Sequence, residues 1–278
     1  MYKDIIIMIA SHKACEVPAD PVYQPVLVGS AAFRKRAEEN AETGMPVGFL
    51  GDDTGDSISE KNARFGELTG LYWAWKNMSC KYLGLVHYRR YFASPGAAGM
   101  RPADKILKGE EAEKLLQRFQ VILPRKRRYY IESVYSHYAH TFDGKQLDVA
   151  RQIIGKRCPE YLDCFDVCMR RRSAYIFNMF LMPKALSDSY CEWLFPILSD
   201  LEQEISTEGM TDFEKRFVGR VSERLFNVWL LYQIRTGRIR KNDIKELPYL
   251  YIGSIDWKRK ITAFLKAKFL HVKYDSSF

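Results

Sequence analysis

The apolar positions of the N-terminal half predict β-strands that alternate with α-helices. Residues 5–10 are all apolar and rich in isoleucine, which is typical of a strand buried on both faces. Between Glu67 and Met78 the apolar residues recur at spacings of i, i+3, i+4 and i+7, which predicts an amphipathic helix. Residues 82–86 predict the next strand. The alternation indicates an α/β fold with a mostly parallel sheet.

The second half of the chain predicts mainly helices. Helical patterns extend over residues 131–169, with interruptions near Gly144 and Pro159, and return over 184–205 and 218–234. Shorter patterns predict helices over 31–42 and 109–118, and strands over 47–51, 119–124 and 174–177. We therefore expect a largely helical region that packs on the sheet or inserts into it.

The composition is that of a globular, basic protein. Of the 278 residues 47% are hydrophobic, which excludes an intrinsically disordered chain, and 43 Lys and Arg against 34 Asp and Glu give a net charge of +9. No apolar run reaches the roughly 18–20 residues that span a bilayer, and the N-terminus leads directly into the first strand. The sequence thus predicts a cytoplasmic protein. The six cysteines include no CxxC pair, so we expect reduced thiols.

Polar clusters follow three of the predicted strands. They are Ser11-His12-Lys13, Asp52-Asp53 and His87-Tyr88-Arg89-Arg90. In an open α/β sheet, ligands bind outside the carboxyl ends of the strands. We therefore expect the three clusters to converge at one edge of the sheet.

The third cluster has the chemistry of a phosphate site. Arginine matches phosphate oxygens with two parallel hydrogen bonds, and His87 can donate to phosphate or move a proton. Arg89 and Arg90 predict such a site, with ion pairs to Asp52 or Glu67 as the alternative. The aspartates of the second cluster can bind sugar hydroxyls or a divalent ion, or belong to a solvated turn.

Two positions in the helical half are further candidates. His137 and His140 share a helix face, but a metal site needs a third ligand, and none is visible nearby. We interpret them as sugar contacts, because the Tyr, Ser, His and Thr side chains of residues 135–141 can stack on sugar rings and hydrogen-bond to hydroxyls. Packing within the helical region is the alternative. Glu223 flanks the apolar stripe of the last helix and can act as a general base, or simply pair with Arg220 or Arg224.

Residues 257–270 predict a basic amphipathic helix. Its apolar residues share one side, five Lys or Arg lie elsewhere, and no acid occurs from Trp257 to Tyr274. This pattern is typical of a helix on an anionic membrane surface. Docking of the helix on the protein itself is the alternative.

Several long motifs resemble one bacterial family. These motifs are Gly51 to Asp56, Ser59 to Asn62, Glu67 to Asn77, Gly84 to Phe92, Tyr135 to Thr141, Phe177 to Phe180 and Ser222 to Arg224. The chain is similar, over most of its length, to uncharacterised-domain proteins of capsular, exopolysaccharide and O-antigen gene clusters, which are usually identified as glycosyltransferases. The resemblance implies a GT-A-like nucleotide-binding domain over residues 1–245, followed by the basic amphipathic segment 246–278.

The same resemblance implies a reaction: transfer of a hexose such as galactose from a UDP-sugar to a lipid-linked glycan. In metal-dependent GT-A enzymes an Asp-x-Asp motif after the third strand holds a metal ion on the donor diphosphate. Here the comparable place reads His87-Tyr88-Arg89. Arginines can neutralise the diphosphate as the ion does, so no cofactor is expected, with Mn²⁺ or Mg²⁺ as the lesser alternative.

Site residues follow from this reaction. The donor-binding residues are expected to be Ser11, His12, Asp52, Asp53, Arg89 and Arg90. The catalytic residues are expected to be Glu223 or Glu67 as the base, with His87 beside the diphosphate. The substrate-binding residues are expected to be Asn62, Trp73, His137, His140, Asn178 and Arg224.

The expected partners are the UDP-sugar, the lipid-linked glycan and an anionic membrane surface, which places the protein at the inner face of the plasma membrane as a peripheral protein. A non-enzymatic polysaccharide-binding module is the alternative. The basic run of residues 125–128, followed by two tyrosines, favours a nucleic-acid binder, but no nucleic-acid motif accompanies it. We therefore expect no nucleic-acid partner.

Overall fold

The structure, a computed structural model, describes residues 4–40, 44–96 and 103–253. These residues divide into two compact units, each made of segments from different parts of the chain. The first unit comprises the chain up to Arg125, together with Phe177–Glu192 and Ile239–Ile252. The second unit comprises Lys126–Ile176 and Trp193–Arg238.

The described residues form eleven strands and ten α-helices. The strands are β1 (Ile5–Ser11), β2 (Tyr23–Leu27), β3 (Leu50–Gly51), β4 (Tyr82–His87), β5 (Arg90–Phe92), β6 (Val121–Pro124), β7 (Arg127–Arg128), β8 (Ser173–Ala174), β9 (Phe180–Pro183), β10 (Ile244–Leu247) and β11 (Tyr249–Tyr251). The helices are α1 (Ser30–Asn40), α2 (Asn62–Phe65), α3 (Leu68–Asn77), α4 (Gly109–Leu116), α5 (Val134–Thr141), α6 (Lys145–Arg157), α7 (Leu162–Arg170), α8 (Lys184–Glu204), α9 (Asp212–Lys215) and α10 (Phe217–Arg235).

The first unit is built on a mixed sheet with the strand order β10-β6-β9-β4-β1-β2-β3, and β5 joins β11 to the end of β4. Strands β3, β2, β1 and β4 are parallel to one another, and β10 is parallel to β6. Strand β9 is antiparallel to both β4 and β6 and joins the two parallel groups. The mostly parallel sheet expected from the sequence is thereby confirmed.

Strand β1 lies near the middle of this sheet, between β2 and β4. Ile7, Met8 and Ile9 are fully buried, so consecutive side chains that point to opposite faces are both covered. A strand in this position requires an unbroken apolar run, which is the pattern that predicted it. Its carboxyl end, together with that of β4, positions the candidate site.

Strand β2 was not predicted, because Pro25 interrupts its apolar pattern. Proline lacks the N–H of the strand ladder and is tolerated mainly at sheet edges. The neighbouring β3 has only two residues, Leu50 and Gly51, and pairs with Val26 and Leu27 alone. At Pro25, strand β2 therefore has no neighbouring strand on the β3 side among the described residues, and the N–H that proline lacks costs the sheet little stability.

Residues 246–251, which the sequence analysis placed in a C-terminal segment, belong to strands of the first unit except for Pro248. Strand β10 pairs with β6, and β11 pairs with β5. Both were missed because four and three residues are too few to show a periodicity. The predicted amphipathic helix over 257–270 lies outside the described residues.

The second unit is helical, as the sequence predicted for this half of the chain. The interruptions expected near Gly144 and Pro159 separate α5, α6 and α7. Helix α10 contacts α6 and α7. Aromatic rings add to this core: Tyr161 stacks on Tyr232, with ring centroids 3.8 Å apart, and on Trp193. The predicted strand over 174–177 is reduced to β8, which pairs with β7 in a separate two-stranded ribbon.

Candidate functional site

The structure brings the three polar clusters to one edge of the sheet in the first unit. Strands β3, β2, β1 and β4 are parallel neighbours, so their carboxyl ends lie together. Ala10 pairs with His87, and Leu27 pairs with both Ser11 and Gly51. The turns that follow these strands therefore share the edge where ligands bind in open α/β sheets.

Three side chains gather around Tyr88 at this edge, and we call His12, Lys13, Tyr88 and Arg89 the Tyr88 cluster. The Arg89 guanidinium carbon lies 5.0 Å from the centroid of the Tyr88 ring, and Lys13 Nζ lies 5.7 Å from it. The His12 ring meets it edge-on at 5.2 Å. Neither Lys13 nor Arg89 forms an ion pair with a carboxylate among the described residues. Two permanent cations and an imidazole are thus exposed together, an arrangement that attracts an anion.

A cavity of about 610 Å³ adjoins the Tyr88 cluster within the first unit. Tyr23, Tyr88 and Tyr91 line it together with the turn 16–20, Asp104, residues 106–108 and Ile252. Cavities of this size commonly hold small molecules and cofactors. Tyr23 and Tyr91 are buried, at 6% and 1% exposed, whereas Tyr88 is half-buried and offers a partly exposed aromatic face. Such a face can stack on a flat or sugar ring, and backbone and carboxylate oxygens accept from hydroxyls, so this lining suits a nucleoside beside the exposed cations.

Arg90 does not join Arg89. Its guanidinium carbon lies 4.4 Å from the Phe177 ring centroid and 5.6 Å from that of Tyr251. The two arginines therefore contact different rings, and their joint contact with one diphosphate stays a prediction. Arg90 instead helps to hold the turn at Phe177.

That turn has an unusual backbone. Phe177 and Asn178 have φ values of 74° and 52°, in the left-handed region that non-glycine residues rarely adopt. His87 Nε2 lies 2.5 Å from the Phe177 carbonyl oxygen, so this nitrogen carries the proton and donates it. Two consecutive left-handed residues cost conformational energy and persist only where surrounding contacts enforce them, which is commonest at functional sites.

The same turn positions a carboxylate. Asn178 is 4% exposed, and its side-chain amide donates to Glu67 Oε1 over 2.8 Å. Glu67 is half-buried and immediately precedes α3, and its Oε2 has no hydrogen-bond partner among the described residues. Glu67 is therefore a fixed carboxylate with one oxygen left to accept a proton.

Asp52 has a structural role. It is fully buried, and its carboxylate accepts hydrogen bonds from the backbone N–H groups of Gly29 and Ser30 at 3.0 Å and from the hydroxyls of Ser30 and Ser59. These donors surround the N-terminus of α1, where a negative charge is stabilising. The side chain that was expected to bind the donor is therefore already occupied.

We expect Asp52→Ala to lower the free energy of unfolding by about 3 kcal/mol, because four buried donors lose a charged acceptor. Urea denaturation followed by circular dichroism measures this change. Asp212→Ala, at a fully exposed side chain, is the control. An Asp52→Ala protein with wild-type stability would show that the α1 N-terminus does not depend on this carboxylate.

Asp53 is paired rather than open. Burial raises the pKa of its carboxyl group, but hydrogen bonds from Arg34 and Ser30 and the Arg34 charge outweigh burial and leave the pKa below its usual value. Arg34 Nε lies 2.5 Å from Asp53 Oδ2. Since Asp52 is occupied as well, these two aspartates do not fit a divalent ion. No group of three or more acidic, histidine or cysteine ligands occurs among the described residues.

Three other predicted residues of the first unit hold local structure. The Ser11 hydroxyl donates to the Lys13 carbonyl oxygen over 2.6 Å and shapes the turn after β1. Asn62 donates to the Gly66 carbonyl and the Thr69 hydroxyl at the start of α3. Trp73 is buried, and its indole N–H donates to Thr54 over 2.9 Å, which fixes the acidic loop. Their substrate roles stay predictions.

Glu223 and Arg224 lie in the second unit. Arg224 Nη1 contacts Glu223 Oε2 at 2.6 Å, and the guanidinium packs over Tyr138 at 5.0 Å. Arg224 is 5% exposed, and Glu223 is half-buried. This is the ion pair that the sequence analysis held as the alternative to a catalytic glutamate. The catalytic role of Glu223 stays an untested prediction, while Glu67 lies in the same unit as the Tyr88 cluster.

The two histidines of α5 have different surroundings. His140 is exposed and lies 2.7 Å from the buried Glu132. His137 is buried, and neither ring nitrogen has a hydrogen-bond partner among the described residues. Burial lowers the pKa of His137 to about 3, and the positive charges of Arg127 and Arg224 add to the effect. His137 is therefore neutral at physiological pH.

This buried histidine predicts a loss of stability in acid. Between its unfolded pKa of 6.5 and the folded value of about 3, the unfolded chain binds a proton that the folded chain does not. The free energy of unfolding then falls by up to about 1.4 kcal/mol for each pH unit below 6.5. We expect His137→Leu, similar in volume, to flatten this dependence in urea titrations at pH 7 and pH 5. An unchanged slope would contradict a neutral buried His137, and His140→Leu is the control.

No helix of the described residues is long and apolar enough to cross a membrane. This finding concerns residues 4–40, 44–96 and 103–253 alone.

The fold and the site define an α/β protein with a cationic cluster and a cavity at the carboxyl edge of parallel strands. Residues 6–234 match the family described as "Domain of unknown function (DUF4422)", and the chain belongs to this family. No curated protein is detectably similar to the chain.

A solved structure extends the comparison. The chain is similar to the apo structure of the bifunctional glycosyltransferase WbbM, with a TM-score of 0.78 and 29% sequence identity. The similarity covers 90% of this chain and 46% of the WbbM chain, so this chain spans less than half of that protein. The comparison confirms the GT-A-like α/β class.

Sequence reasoning missed three residues that the geometry places at the site. Lys13 and Tyr88 stood inside the quoted clusters, yet neither was assigned a role. Phe177 was assigned to a strand, whereas it forms the left-handed turn that contacts His87 and Arg90. Lys13 directly follows Ser11 and His12 at the end of the first strand, and this position could have identified it as a site residue.

Proposed function

We propose that this protein is a glycosyltransferase that transfers a hexose from a UDP-sugar to a lipid-linked glycan. The observation that carries the proposal is the Tyr88 cluster beside a cavity of about 610 Å³ at the carboxyl ends of β1 and β4. A nucleoside diphosphate needs these two features, a cavity for the nucleoside and adjacent cations for the phosphates. The structural similarity of this chain to the bifunctional glycosyltransferase WbbM supports it.

In this proposal the two permanent charges of Lys13 and Arg89 bind the donor diphosphate. The UDP leaving group gains negative charge as the glycosidic bond breaks, and fixed cations at that point stabilise the transition state more than the ground state. His12 adds a third donor. Electrostatic stabilisation of the leaving group is thereby assigned to side chains of the chain itself.

Glu67 is the proposed general base. Its Oε2 accepts the proton of the acceptor hydroxyl, whose oxygen then attacks the anomeric carbon as UDP leaves. Asn178 fixes the carboxylate through Oε1, and the adjacent Phe177 carbonyl is fixed by His87, the residue before Tyr88. A direct displacement with such a base inverts the anomeric configuration.

Titration calorimetry with UDP, UDP-galactose, UDP-glucose, heparin and DNA tests the proposal, each with and without Mn²⁺. We expect UDP and at least one UDP-hexose to bind, and the sugar to be transferred to a lipid-linked glycan from membrane extracts. Absence of any nucleotide response would overturn the enzymatic interpretation. Binding of heparin alone would favour the polysaccharide-binding module.

A further inference from the structure

The second unit carries a strongly basic surface that the proposed reaction does not use. The two-stranded ribbon β7–β8 pairs Arg127 with Ala174 and Arg128 with Ser173. This pairing brings two basic runs side by side, residues 125–128 and residues 170–172. We call the following six exposed cations the ribbon patch: Lys126, Arg127, Arg128, Arg170, Arg171 and Arg172.

Little negative charge offsets this patch. None of its five arginines forms an ion pair with a carboxylate among the described residues, and no acid occurs in residues 125–131 or 170–176. Two acids lie four residues from the patch along the chain. Glu132 is buried and contacts His140. Asp166 forms an ion pair with Arg151, and the nearby charge of Arg170 helps to lower the pKa of its carboxyl group. Like charges held side by side are unfavourable, so their gathering in one place indicates an anionic partner.

Two apolar side chains project beside the patch. Tyr130 and Ile131 are 76% and 68% exposed, among the most exposed large hydrophobic residues described. Tyr130 has φ of 56°, a left-handed conformation that a bulky residue rarely adopts, although asparagine or glycine would fit it without strain. Arg172 Nη1 contacts the Tyr130 carbonyl oxygen, so the cations directly flank this tip.

We propose that the ribbon patch and its Tyr130–Ile131 tip dock the second unit on an anionic phospholipid membrane. Clustered cations attract acidic head groups, and each one near the surface strengthens attachment. An aromatic ring and an aliphatic chain that project from the same surface enter the interfacial region, where aromatic side chains are favoured. A polyanion alone would explain the cations but not the strained, exposed tip. This proposal is independent of the donor site.

The test is co-sedimentation of the full-length chain with phosphatidylcholine vesicles, with and without phosphatidylglycerol. We expect binding only to vesicles that contain phosphatidylglycerol, and weaker binding at high salt. The variant Arg127→Gln/Arg128→Gln/Arg171→Gln is expected to bind about tenfold more weakly or worse. The control Lys35→Gln/Lys145→Gln/Lys241→Gln removes the same charge at scattered exposed sites and is expected to bind as wild type.

A second variant addresses the tip. Tyr130→Asn/Ile131→Ser keeps every charge and suits the left-handed backbone, and we expect it to bind vesicles several-fold more weakly. The control is Val47→Ser, at another exposed apolar residue, and we expect it to leave binding unchanged. All variants retain residues 254–278, so attachment through the C-terminal segment alone would leave the ribbon variant equal to its control. Equal binding of the ribbon variant and its control would overturn the proposal. Wild-type binding to neutral vesicles alone would do so as well, as would binding to heparin or RNA but not to vesicles.

Discussion

Arg89→Ala is expected to bind UDP about 10- to 100-fold more weakly than wild type, and to lower kcat/KM for the UDP-sugar by at least as much. A hydrogen bond to a charged group contributes on the order of 1.5–3 kcal/mol, and Arg89 supplies both charge and a planar pair of donors. The effect on kcat/KM exceeds the effect on UDP binding if the contact strengthens as charge develops on the leaving group. Calorimetry and initial-rate kinetics measure the two quantities.

Two controls make this result specific. Arg36→Ala removes an exposed arginine of α1 in the same unit and is expected to leave UDP affinity unchanged. Arg90→Ala removes the neighbouring arginine, which stacks on Phe177 and Tyr251, and is expected to lower turnover more than UDP affinity. Should Arg90→Ala weaken UDP binding while Arg89→Ala does not, the diphosphate would belong to Arg90 and the assignment of the Tyr88 cluster would be wrong.

The edge of the sheet could be predicted from sequence because its signals are local. Residues 5–10 and 82–86 are continuous apolar runs, and each is followed at once by a polar cluster that contains permanent positive charge. In a parallel sheet such turns lie at the same edge, and these two adjoin because β1 and β4 are neighbouring strands. The convergence of His12 and Tyr88 at 5.2 Å is the outcome of that rule.

The separation of Arg89 from Arg90 could not be predicted in the same way. Successive residues of a strand point to opposite sides, so adjacent arginines at its start diverge. Strand β5 begins at Arg90, and three residues paired to the equally short β11 leave no periodicity in the sequence. Without that strand, two consecutive arginines look like a pair.

Asp52 shows a second limit. Its position after an apolar run is what a ligand-binding aspartate would have, and only the distant donors at Gly29 and Ser30 reveal that it stabilises α1. Those contacts span more than 20 residues and depend on β2, which Pro25 concealed. The sequence can thus indicate which residues reach the edge, but the folded chain decides which of them are already occupied.

Glu67→Gln is expected to reduce turnover by about 10²- to 10⁴-fold while UDP affinity stays within about twofold of wild type, because a general base contributes to the chemical step and not to donor binding. Glutamine is nearly isosteric and can still accept from Asn178, so the turn at Phe177 is preserved. The variant therefore removes the proton acceptor and little else.

Glu60→Gln, an exposed acid just before α2, is the matched control and is expected to be fully active. Asn178→Ala tests whether the hydrogen bond that fixes the Glu67 carboxylate matters for turnover. The variant leaves Glu67 in place without this hydrogen bond, and we expect an intermediate loss of turnover and a displaced pH profile of turnover. If Glu67→Gln keeps wild-type turnover with an inverted product, the proton passes to another group. Loss of turnover in Glu223→Gln alone would then assign the base to the second unit.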